Sequence, residues 1–415
     1  VDIADIDLLD SDRFVRQEHH EMFRVLRAED PVHWTEDPKG PGFWSVTKHA
    51  DLVTINRDPE GFSSELGGVN MAELDTVDPA FDMRGQMMLM TDPPRHTRYR
   101  LLVNKGFTPG RVRDKTGEID DVCDHIIDKV CERGSCDFVW DIAAPLPLLL
   151  IGDMLGFPRD RYDDLLRWSD DLIRGTTATD EAASENAALA GMAFREFQLG
   201  VIADRRAQPG GDDLVSVLCE AEVDGDRLDD ESIVQESLLL LIGGDETSRH
   251  VITGGMQALF DHPDERERLA GDLHGGIETA VEEMLRWVTP IKNMARTVMR
   301  DVELGGQTVP EGSDLIMIYP SANRDEQHFD DPFRFDVGRD PNHHLAFGFG
   351  THFCLGASLA RLELREMFTR VLTRLPDIEP AVRAEELPWR NSNFITGVES
   401  MPVRFTPTEK VGAAT

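Results

Sequence analysis

The sequence predicts a mainly helical fold with a small β-rich lobe, and two observations lead to this expectation. Strand-like runs are short and lie early in the chain, at PVHW and GFWSV, or late, at LIMIY and PVRFT. Between them, long segments repeat apolar residues at the spacing of an α-helix. No internal repeat or low-complexity linker interrupts the 415 residues, so we expect a single domain that spans 1–415.

Four segments carry the helical prediction. They read HTRYRLLVNKGF, AALAGMAFREFQLGVIADRRA, ESIVQESLLLLIGGDETSRHVITGGMQALF and GGIETAVEEMLRW. The third predicts a helix of roughly 28 residues, or about 42 Å. We expect Asp230 or Ser232 to cap it, and the Asp-His-Pro after Phe260 to end it. A helix of that length crosses the whole molecule, so its apolar faces must be buried.

Composition excludes several classes of protein. Lys+Arg is 43 and Asp+Glu is 78, which gives a formal net charge of −35. Such a chain repels nucleic acid and anionic lipid. The five cysteines contain no CxxC pair, which argues against a structural zinc site and fits a reducing compartment. The N-terminus, VDIADIDLLDSDRF, has no apolar core and LLLLIGG is too short to span a bilayer, so we expect a cytoplasmic protein without a membrane anchor.

One cysteine stands in a chemically distinctive segment, AFGFGTHFCLGASL. Cys354 precedes the helical run ASLARLELREMFTRVL. A sulfur at a helix N-terminus lies near the positive end of the dipole, which lowers the thiol pKa and favours the thiolate that binds metal. Gly348 and Gly350 allow a tight turn and close approach to a flat ligand. Phe347 can shield the sulfur, and His352 can point to a bound anion.

The spacing F-G-x-G-x-H-x-C-x-G is met at every position from Phe347 to Gly356. A buried cysteine near a helix cap, the plain alternative, does not require that pattern. The segment resembles the haem-binding loop of the cytochrome P450 family. The resemblance implies a triangular helical domain that binds haem b (iron protoporphyrin IX). It also implies a monooxygenase in which the Cys354 thiolate is the axial iron ligand and donates electron density toward O–O cleavage.

A second motif lies in VEEMLRW. Glu283 and Arg286, at i and i+3, share a helix face and can form a buried ion pair. An exposed surface pair is the alternative. The resemblance implies that Arg339, in DPFRFDVGR, completes a structural network with them under the haem.

The long helix contains the stretch GGDET, from Gly243 to Thr247, which resembles the corresponding sequence of the family. Small residues let a diatomic ligand rest against the helix, and Thr247 can donate a hydrogen bond to bound dioxygen. Glu246, in preference to Asp245, can relay protons from solvent, because O–O cleavage consumes two protons. A helix kink with a solvated acid is the alternative.

The two carboxylates of haem need cations. HTRYR places His96 and Arg100 at i and i+4 on one helix face. The resemblance assigns the anion-binding pair to these positions, and it adds Arg296 and His352 as further partners. Plain surface cations are the alternative for any one of them.

The predicted substrate pocket is mostly apolar and suits a large, weakly polar molecule better than a sugar or an amino acid. We expect it to be lined by Met87, Met88, Leu239, Leu240, Gly243, Val288, Ile291, Met294, Phe394 and Ile395, with Asn293 as its one amide and with Met71 and Met83 nearby. The loop between Glu65 and Met87 is expected to set specificity.

A narrower resemblance concerns the substrate. The segments IGGDETSRH, IKNMARTV, HLAFGFGTHFCLG and NFITGVESMPVRFTP are similar to bacterial enzymes that hydroxylate the terminal methyl of the cholesterol side chain. This implies cholesterol or cholest-4-en-3-one as substrate. Two alternatives remain: a tailoring hydroxylase of a polyketide or other natural product, and a haem-based sensor without turnover, which needs no proton relay.

The electrons are expected from outside the chain. No flavin- or nicotinamide-binding Gly-rich segment follows the cysteine motif in the sequence, so the resemblance implies an iron–sulfur ferredoxin and its NAD(P)H-dependent reductase. Basic residues around the cysteine side predict the docking face for an acidic ferredoxin, with ordinary surface cations as the alternative. They are Arg98, Lys105, Arg111, Arg113, Lys115, Arg361 and Arg365.

Overall fold

The computed structural model describes residues 1–38, 40–71, 85, 87–175, 181–223 and 225–412. Most of the described chain is helical, as predicted. The helices are α1 (Ser11–Val15), α2 (His19–Glu29), α3 (His49–Arg57), α4 (Arg95–Val103), α5 (Pro109–Asp114), α6 (Thr116–Asp128), α7 (Pro145–Met154), α8 (Tyr162–Gly175), α9 (Glu181–Ala207), α10 (Leu214–Glu220), α11 (Asp230–Asp261), α12 (Pro263–Gly271), α13 (Leu273–Val288), α14 (Tyr319–Ala322) and α15 (Ala357–Arg374).

The strands are short and form the small β-rich part. They are β1 (Val32–Thr35), β2 (Phe43–Val46), β3 (Phe62–Ser63), β4 (Ser135–Asp137), β5 (Glu222–Val223), β6 (Asp226–Arg227), β7 (Asn293–Val298), β8 (Val302–Leu304), β9 (Gln307–Val309), β10 (Asp314–Ile318), β11 (Glu379–Pro380) and β12 (Pro402–Arg404). The four predicted strand runs coincide with β1, β2, β10 and β12, so those predictions are confirmed.

The largest sheet joins the two ends of the chain in the order β1-β2-β10-β7-β3. Strand β10 runs parallel to β2, with Leu315 opposite Trp44, and antiparallel to β7, with Leu315 opposite Arg296. The pairing of β10 with β2 brings together segments that lie far apart in sequence. A second sheet has the order β11-β12-β4, and β5-β6 and β8-β9 are hairpins.

The long predicted helix is α11, with 32 residues, and at 1.5 Å per residue it extends about 48 Å. Its N-cap is Asp229, whose carboxylate accepts a hydrogen bond from the backbone N–H of Ser232 at 2.7 Å. The predicted caps, Asp230 and Ser232, are therefore wrong by one and three residues. Acidic or hydroxyl side chains at 229, 230 and 232 can all cap a helix, so the sequence alone did not distinguish them.

The main hydrophobic core surrounds α11. Buried side chains from α6, α7, α9, α13 and α15 pack with Ile252 and Leu259 of α11 in one cluster. Each fully buried aliphatic side chain contributes roughly 1.5–3 kcal/mol. In the described part of the chain, no helix is both long and apolar enough to span a bilayer.

Candidate active site

The cysteine loop is a tight turn held by its own backbone. The N–H of Cys354 donates to the carbonyl oxygen of Phe347 at 2.9 Å. Gly348 and Gly350 have φ of +69° and +66°, a region that disfavours side chains. A Cβ at Gly350 would also collide with the carbonyl oxygen of Asn56. The prediction that both glycines serve a tight turn is confirmed, and their approach to a flat ligand stays a prediction.

The sulfur lies just before α15, whose N-cap is Gly356. The backbone N–H groups of Gly356 and Ala357 donate to it, and Arg100 and Arg361 favour its thiolate. Burial outweighs these effects and raises the pKa of the Cys354 thiol above its ordinary value. When only the groups of the protein act on the Cys354 thiol, its pKa is raised, so the prediction of a lowered thiol pKa is wrong. The donors are as predicted, but loss of hydration is larger, and a bound cation such as iron would favour the thiolate further.

The four predicted anion-binding side chains form one cluster. The rings of His96 and His352 lie 4.2 Å apart. Burial, followed by the nearby arginines, lowers the pKa of His96 to about 4 and that of His352 to about 2. Burial also lowers the pKa of Arg296 and of Arg100. The two arginines therefore place positive charge in a buried site, beside two histidines that burial keeps neutral, and a negatively charged partner would stabilise the cluster.

Haem fits this cluster. Neither ring nitrogen of His96 has a hydrogen-bond partner among the described residues, although the side chain is fully buried. Asp92 favours protonated His96, but it already accepts hydrogen bonds from Ser63 and from the backbone of Ser64. Two carboxylates beside these residues would supply both the missing acceptors and the missing charge. Arg100 meanwhile donates to the carbonyl of Phe353 at 2.6 Å, which ties α4 to the cysteine loop.

The E-x-x-R pair is buried, not exposed. Arg286 forms two hydrogen bonds to Glu283, each 2.7 Å long, and both side chains are fully excluded from solvent. Arg339 donates to the same carboxylate at 3.2 Å. Arg286 also donates to the carbonyls of Asn323 and Pro332, at 2.8 and 2.9 Å. The three predicted residues thus lie together and tie α13 to the segment that leads to the cysteine loop.

The middle of α11 has an open side and a packed side. A Cβ added at Gly243 would meet no atom within 4 Å, whereas one added at Gly244 would touch Ile151 of α7 at 3.3 Å. The hydroxyl of Thr247 donates to the carbonyl of Gly243 at 2.7 Å. Thr247 therefore lies on the open side, with its oxygen lone pairs available to a further donor.

Glu246 is buried and held by three basic side chains. It pairs with Arg249, accepts from Arg390 at 2.8 Å and lies 3.1 Å from the ring nitrogen Nε2 of His250. The alternative of a helix kink with a solvated acid is therefore wrong, because Glu246 is buried and α11 is continuous. Asp245 is likewise fully buried, and burial raises its pKa.

Arg390 connects Glu246 to the surface. Its guanidinium bonds to Asp170 at 2.7 Å and to Glu399 at 3.3 Å, and both acids also bond to Arg174, which is half exposed. The sequence analysis missed Arg390, because 144 residues separate it from Glu246 and no local spacing relates them.

The predicted pocket segments meet, but not every residue faces the same space. Ile291 and Ile395 form a β-bridge, so the turn after α13 lies against the C-terminal turn that also holds Phe394. Leu239 and Gly243 share one side of α11, at i and i+4. Leu240 and Val288 pack against the main core, and Met294 packs against the sheet.

Two pocket predictions are wrong. Asn293 is fully buried, and its amide is already occupied by the backbone N–H of Met71 at 3.1 Å and the carbonyl of Asn393 at 2.8 Å. Met71 packs in a separate cluster with Leu8 and Phe14. The prediction for Met83, and most of the loop between Glu65 and Met87, lies outside the described residues.

Met87 and Met88 are buried, and a residue that the sequence analysis overlooked holds Met88 to the long helix. Glu236 accepts a hydrogen bond from the backbone N–H of Met88 at 2.5 Å. Burial raises the pKa of Glu236 to about 7. A glutamate inside the apolar run VQESLLLL was the available signal.

Comparison with known proteins agrees with this geometry. The family model "Cytochrome P450" matches residues 183–381. The chain is 45% identical to a steroid C26-monooxygenase of Mycobacterium tuberculosis, over 98% of this chain and 99% of that protein. It is 36% identical to a methyl-branched lipid omega-hydroxylase of Mycobacterium bovis, over 98% and 96%. The structure of a cytochrome P450 of the Bacillus subtilis bacillaene polyketide synthase superposes with a TM-score of 0.85 and 33% identity, over 94% and 98%.

This chain therefore belongs to the cytochrome P450 family. It is a haem b enzyme of the monooxygenase class, which confirms the predicted fold, cofactor and type of reaction. The alternative of a sensor without turnover is not supported.

Proposed function

We propose that this enzyme hydroxylates the terminal side-chain methyl of a sterol such as cholesterol or cholest-4-en-3-one. One oxygen atom of O2 enters a C–H bond, and two electrons and two protons convert the other atom to water. The observation that carries the proposal is the 45% identity, over nearly the whole chain, with a steroid C26-monooxygenase. The apolar character of the segments at Leu239, Ile291 and Ile395 supports it, because such walls suit a sterol side chain.

Haem supplies, when bound, an iron that binds and activates dioxygen, with the thiolate as its electron-donating ligand. Cys354 provides that thiolate, and His96, Arg100, Arg296 and His352 hold the two carboxylates. Phe347, Gly348, Gly350 and Gly356 shape the loop around the sulfur. The network of Glu283, Arg286 and Arg339 fixes the same loop from the side of α13.

Proton delivery falls to Glu246 and Thr247. Glu246 ends the chain of charged groups that runs inward from Asp170 and Glu399 through Arg390. The hydroxyl of Thr247, on the open side of α11, passes the proton on. Asp245 is fully buried, with the side chain of Ser169 beside it, and makes no described bond to Arg390, so it is the less suitable relay.

The variant Thr247→Ala tests this assignment. We expect it to consume reductant while forming less hydroxylated product per electron pair. Thr253→Ala is the matched control, because Thr253 makes the same kind of bond, to the carbonyl of Arg249 at 2.9 Å, two turns away. Unchanged coupling in Thr247→Ala would contradict the assignment.

The substrate is tested by titrating the ferric protein with cholest-4-en-3-one and following the Soret band. A saturating shift to the high-spin position, followed by a product hydroxylated at the side-chain terminus, is expected. An absent shift, with thiolate ligation verified by the spectrum of the reduced carbon monoxide complex, would overturn the sterol proposal. It would instead favour a natural-product tailoring role, for which the polyketide-associated structural neighbour is the supporting observation.

We further propose that a ferredoxin delivers the electrons at a basic face formed by α4 and α5. Lys105, Arg111 and Arg113 are exposed there, and Lys105 and Arg111 bond to backbone carbonyls, which leaves their charge unneutralised. Arg98 and Leu101 of α4 are exposed as well. The other three predicted cations have acidic partners: Lys115 bonds to Glu118, Arg361 to Glu282 and Arg365 to Glu278. We therefore assign the docking charge chiefly to Lys105, Arg111 and Arg113.

Charge reversal tests this face. Arg111→Glu and Arg113→Glu should slow reduction by an acidic ferredoxin, and the rate in the unchanged protein should fall as salt increases. Arg383→Glu, at an exposed pair with Glu386 on another part of the surface, is the control. A reduction rate that responds to neither salt nor the α5 variants would rule the face out.

A further inference from the structure

A second ionic cluster, separate from the E-x-x-R network, joins α13 and α15 to the cysteine loop. Glu282 accepts two hydrogen bonds from Arg361, from Nε at 2.6 Å and from Nη2 at 2.8 Å. The same carboxylate lies 3.1 Å from Nε2 of His344. Burial alone would raise the pKa of Glu282, but the bonds to Arg361 and His344 lower it to about 2. Glu282 is thus a permanent anion with two defined partners.

The histidine in this cluster has a defined orientation. The backbone N–H of Ala346 donates to Nδ1 of His344 at 3.1 Å, so Nδ1 is the acceptor and Nε2 carries the proton. Nε2 therefore donates to Glu282. The side chain of His344 is almost fully buried. Because His344 precedes the cysteine motif by three residues, this pair anchors the start of the loop to α13.

The arginine in the cluster reaches the residue that holds the cysteine backbone. The guanidinium carbon of Arg361 lies 4.6 Å from the ring centre of Phe347. A cation over an aromatic face is attracted to it, and Glu282 fixes the plane of the guanidinium by a two-point bond. The carbonyl of Phe347 accepts the N–H of Cys354 at 2.9 Å. The chain of contacts from Glu282 through Arg361 to Phe347 thus ends at the ligand residue.

We propose that Glu282, Arg361 and His344 form a clamp that sets the reduction potential of the haem and the persistence of its thiolate ligation. The trio acts by position and charge: it holds Phe347 against the cysteine turn, and Glu282 keeps the cation of Arg361, which favours the thiolate, at a fixed place. Groups in the surroundings of a metal ligand tune both properties. This inference rests on the haem-thiolate site and not on the sterol substrate.

The chain offers a matched control for this clamp. One turn away on the same two helices, Arg365 pairs with Glu278 at 3.4 Å, and the side chain of Glu278 is 78% exposed. The pair has the same residue types and joins the same helices, but it makes no described contact with the cysteine loop. Arg365→Met and Glu278→Gln should leave the potential and the ligation unchanged.

Redox titration separates the charge effect. Arg361→Met removes a positive charge and should move the midpoint potential to a more negative value. Glu282→Gln removes a negative charge and should move it to a more positive value. The double variant, whose net charge is unchanged, should return close to the original potential. Equal shifts in Arg361→Met and Arg365→Met, or no shift in either Arg361→Met or Glu282→Gln, would overturn the proposal.

Spectroscopy of the reduced carbon monoxide complex separates the positioning effect. Arg361→Met, Glu282→Gln and the double variant should all lose the thiolate-type spectrum roughly tenfold faster in mild denaturant. If these variants fail to retain haem, Arg361→Lys provides a milder test. It keeps the positive charge but loses the two-point bond to Glu282 and the stacking on Phe347. It should preserve the potential but lose thiolate ligation faster. If Arg361→Lys matches the unchanged protein in ligation lifetime, the clamp does not exist.

Discussion

The buried arginine that holds Glu246 gives the sharpest prediction. Arg390 is 4% exposed and bonds to Glu246, which is fully buried, and to Asp170 and Glu399, which are not. Arg390→Met keeps the length of the side chain but removes its charge. The substitution leaves Glu246 with Arg249 and His250 as its only described partners.

The magnitude follows from the burial of each pair. Removing one partner of a fully buried ion pair costs about 3–5 kcal/mol, because the remaining charge is left uncompensated. Asp170 and Glu399 are about one quarter exposed and still bond to Arg174. The loss of their bonds to Arg390 therefore costs little, on the order of 0–1 kcal/mol each. Because Arg249 and His250 still hold Glu246, we expect the lower end, a loss of about 3 kcal/mol in the free energy of unfolding.

Denaturant titration of the haem-bound protein measures this loss. Arg383→Met, in the exposed pair with Glu386, is the control and should leave the unfolding midpoint unchanged. Glu246→Gln should cost less stability in the Arg390→Met background than in the unchanged protein, because the bond between the two side chains is already lost there. A loss below about 1 kcal/mol in Arg390→Met, or an equal cost of Glu246→Gln in both backgrounds, would refute the reasoning.

Three further outcomes follow from particular contacts. Burial raises the pKa of Glu363 to about 8, so this group makes the folded state less stable as pH rises from about 4.5 to 8. Glu363→Gln should therefore gain stability relative to the unchanged protein across that window, by roughly 4 kcal/mol at its upper end in denaturant titrations. Gly350→Ala should reduce haem incorporation, measured by the ratio of Soret to protein absorbance, whereas Gly200→Ala in α9, where a Cβ would meet no atom within 4 Å, should not. Asn293→Leu should lower the free energy of unfolding by about 2 kcal/mol, since two buried backbone groups lose their partner, and an unchanged value would contradict the geometry.

The parts that the sequence predicted well are those whose partners lie close in sequence. The cysteine turn is complete between Phe347 and Gly356, and the pair of Glu283 and Arg286 lies within one helical turn. Even there, the balance between burial and hydrogen bonding at Cys354 was predicted with the wrong sign. Spacing identifies the donors, but it does not measure how much water the sulfur loses.

The parts that it missed depend on contacts between distant segments. Asn293 was predicted as a polar group of the pocket, yet its amide joins the backbone of Met71 to that of Asn393. Glu246 was predicted as a proton relay without any partner, yet Arg390 approaches it from the C-terminal part of the chain. A side chain in a helical or strand pattern has several possible neighbours, and the tertiary packing decides which of them it meets.

The geometry of α11 explains why neighbouring residues of one short stretch have such different surroundings. Successive residues on a helix are rotated by about 100°, so Thr247 and Glu246 cannot face the same space. Thr247 shares the open side with Gly243, while Glu246 faces Arg249 and the interior charges. A proton that enters along the buried charges must therefore cross from one side of the helix to the next to reach the open side. An acid directly before the threonine provides that crossing over a single residue, whereas Asp245 is rotated about 100° further from Thr247 along the helix.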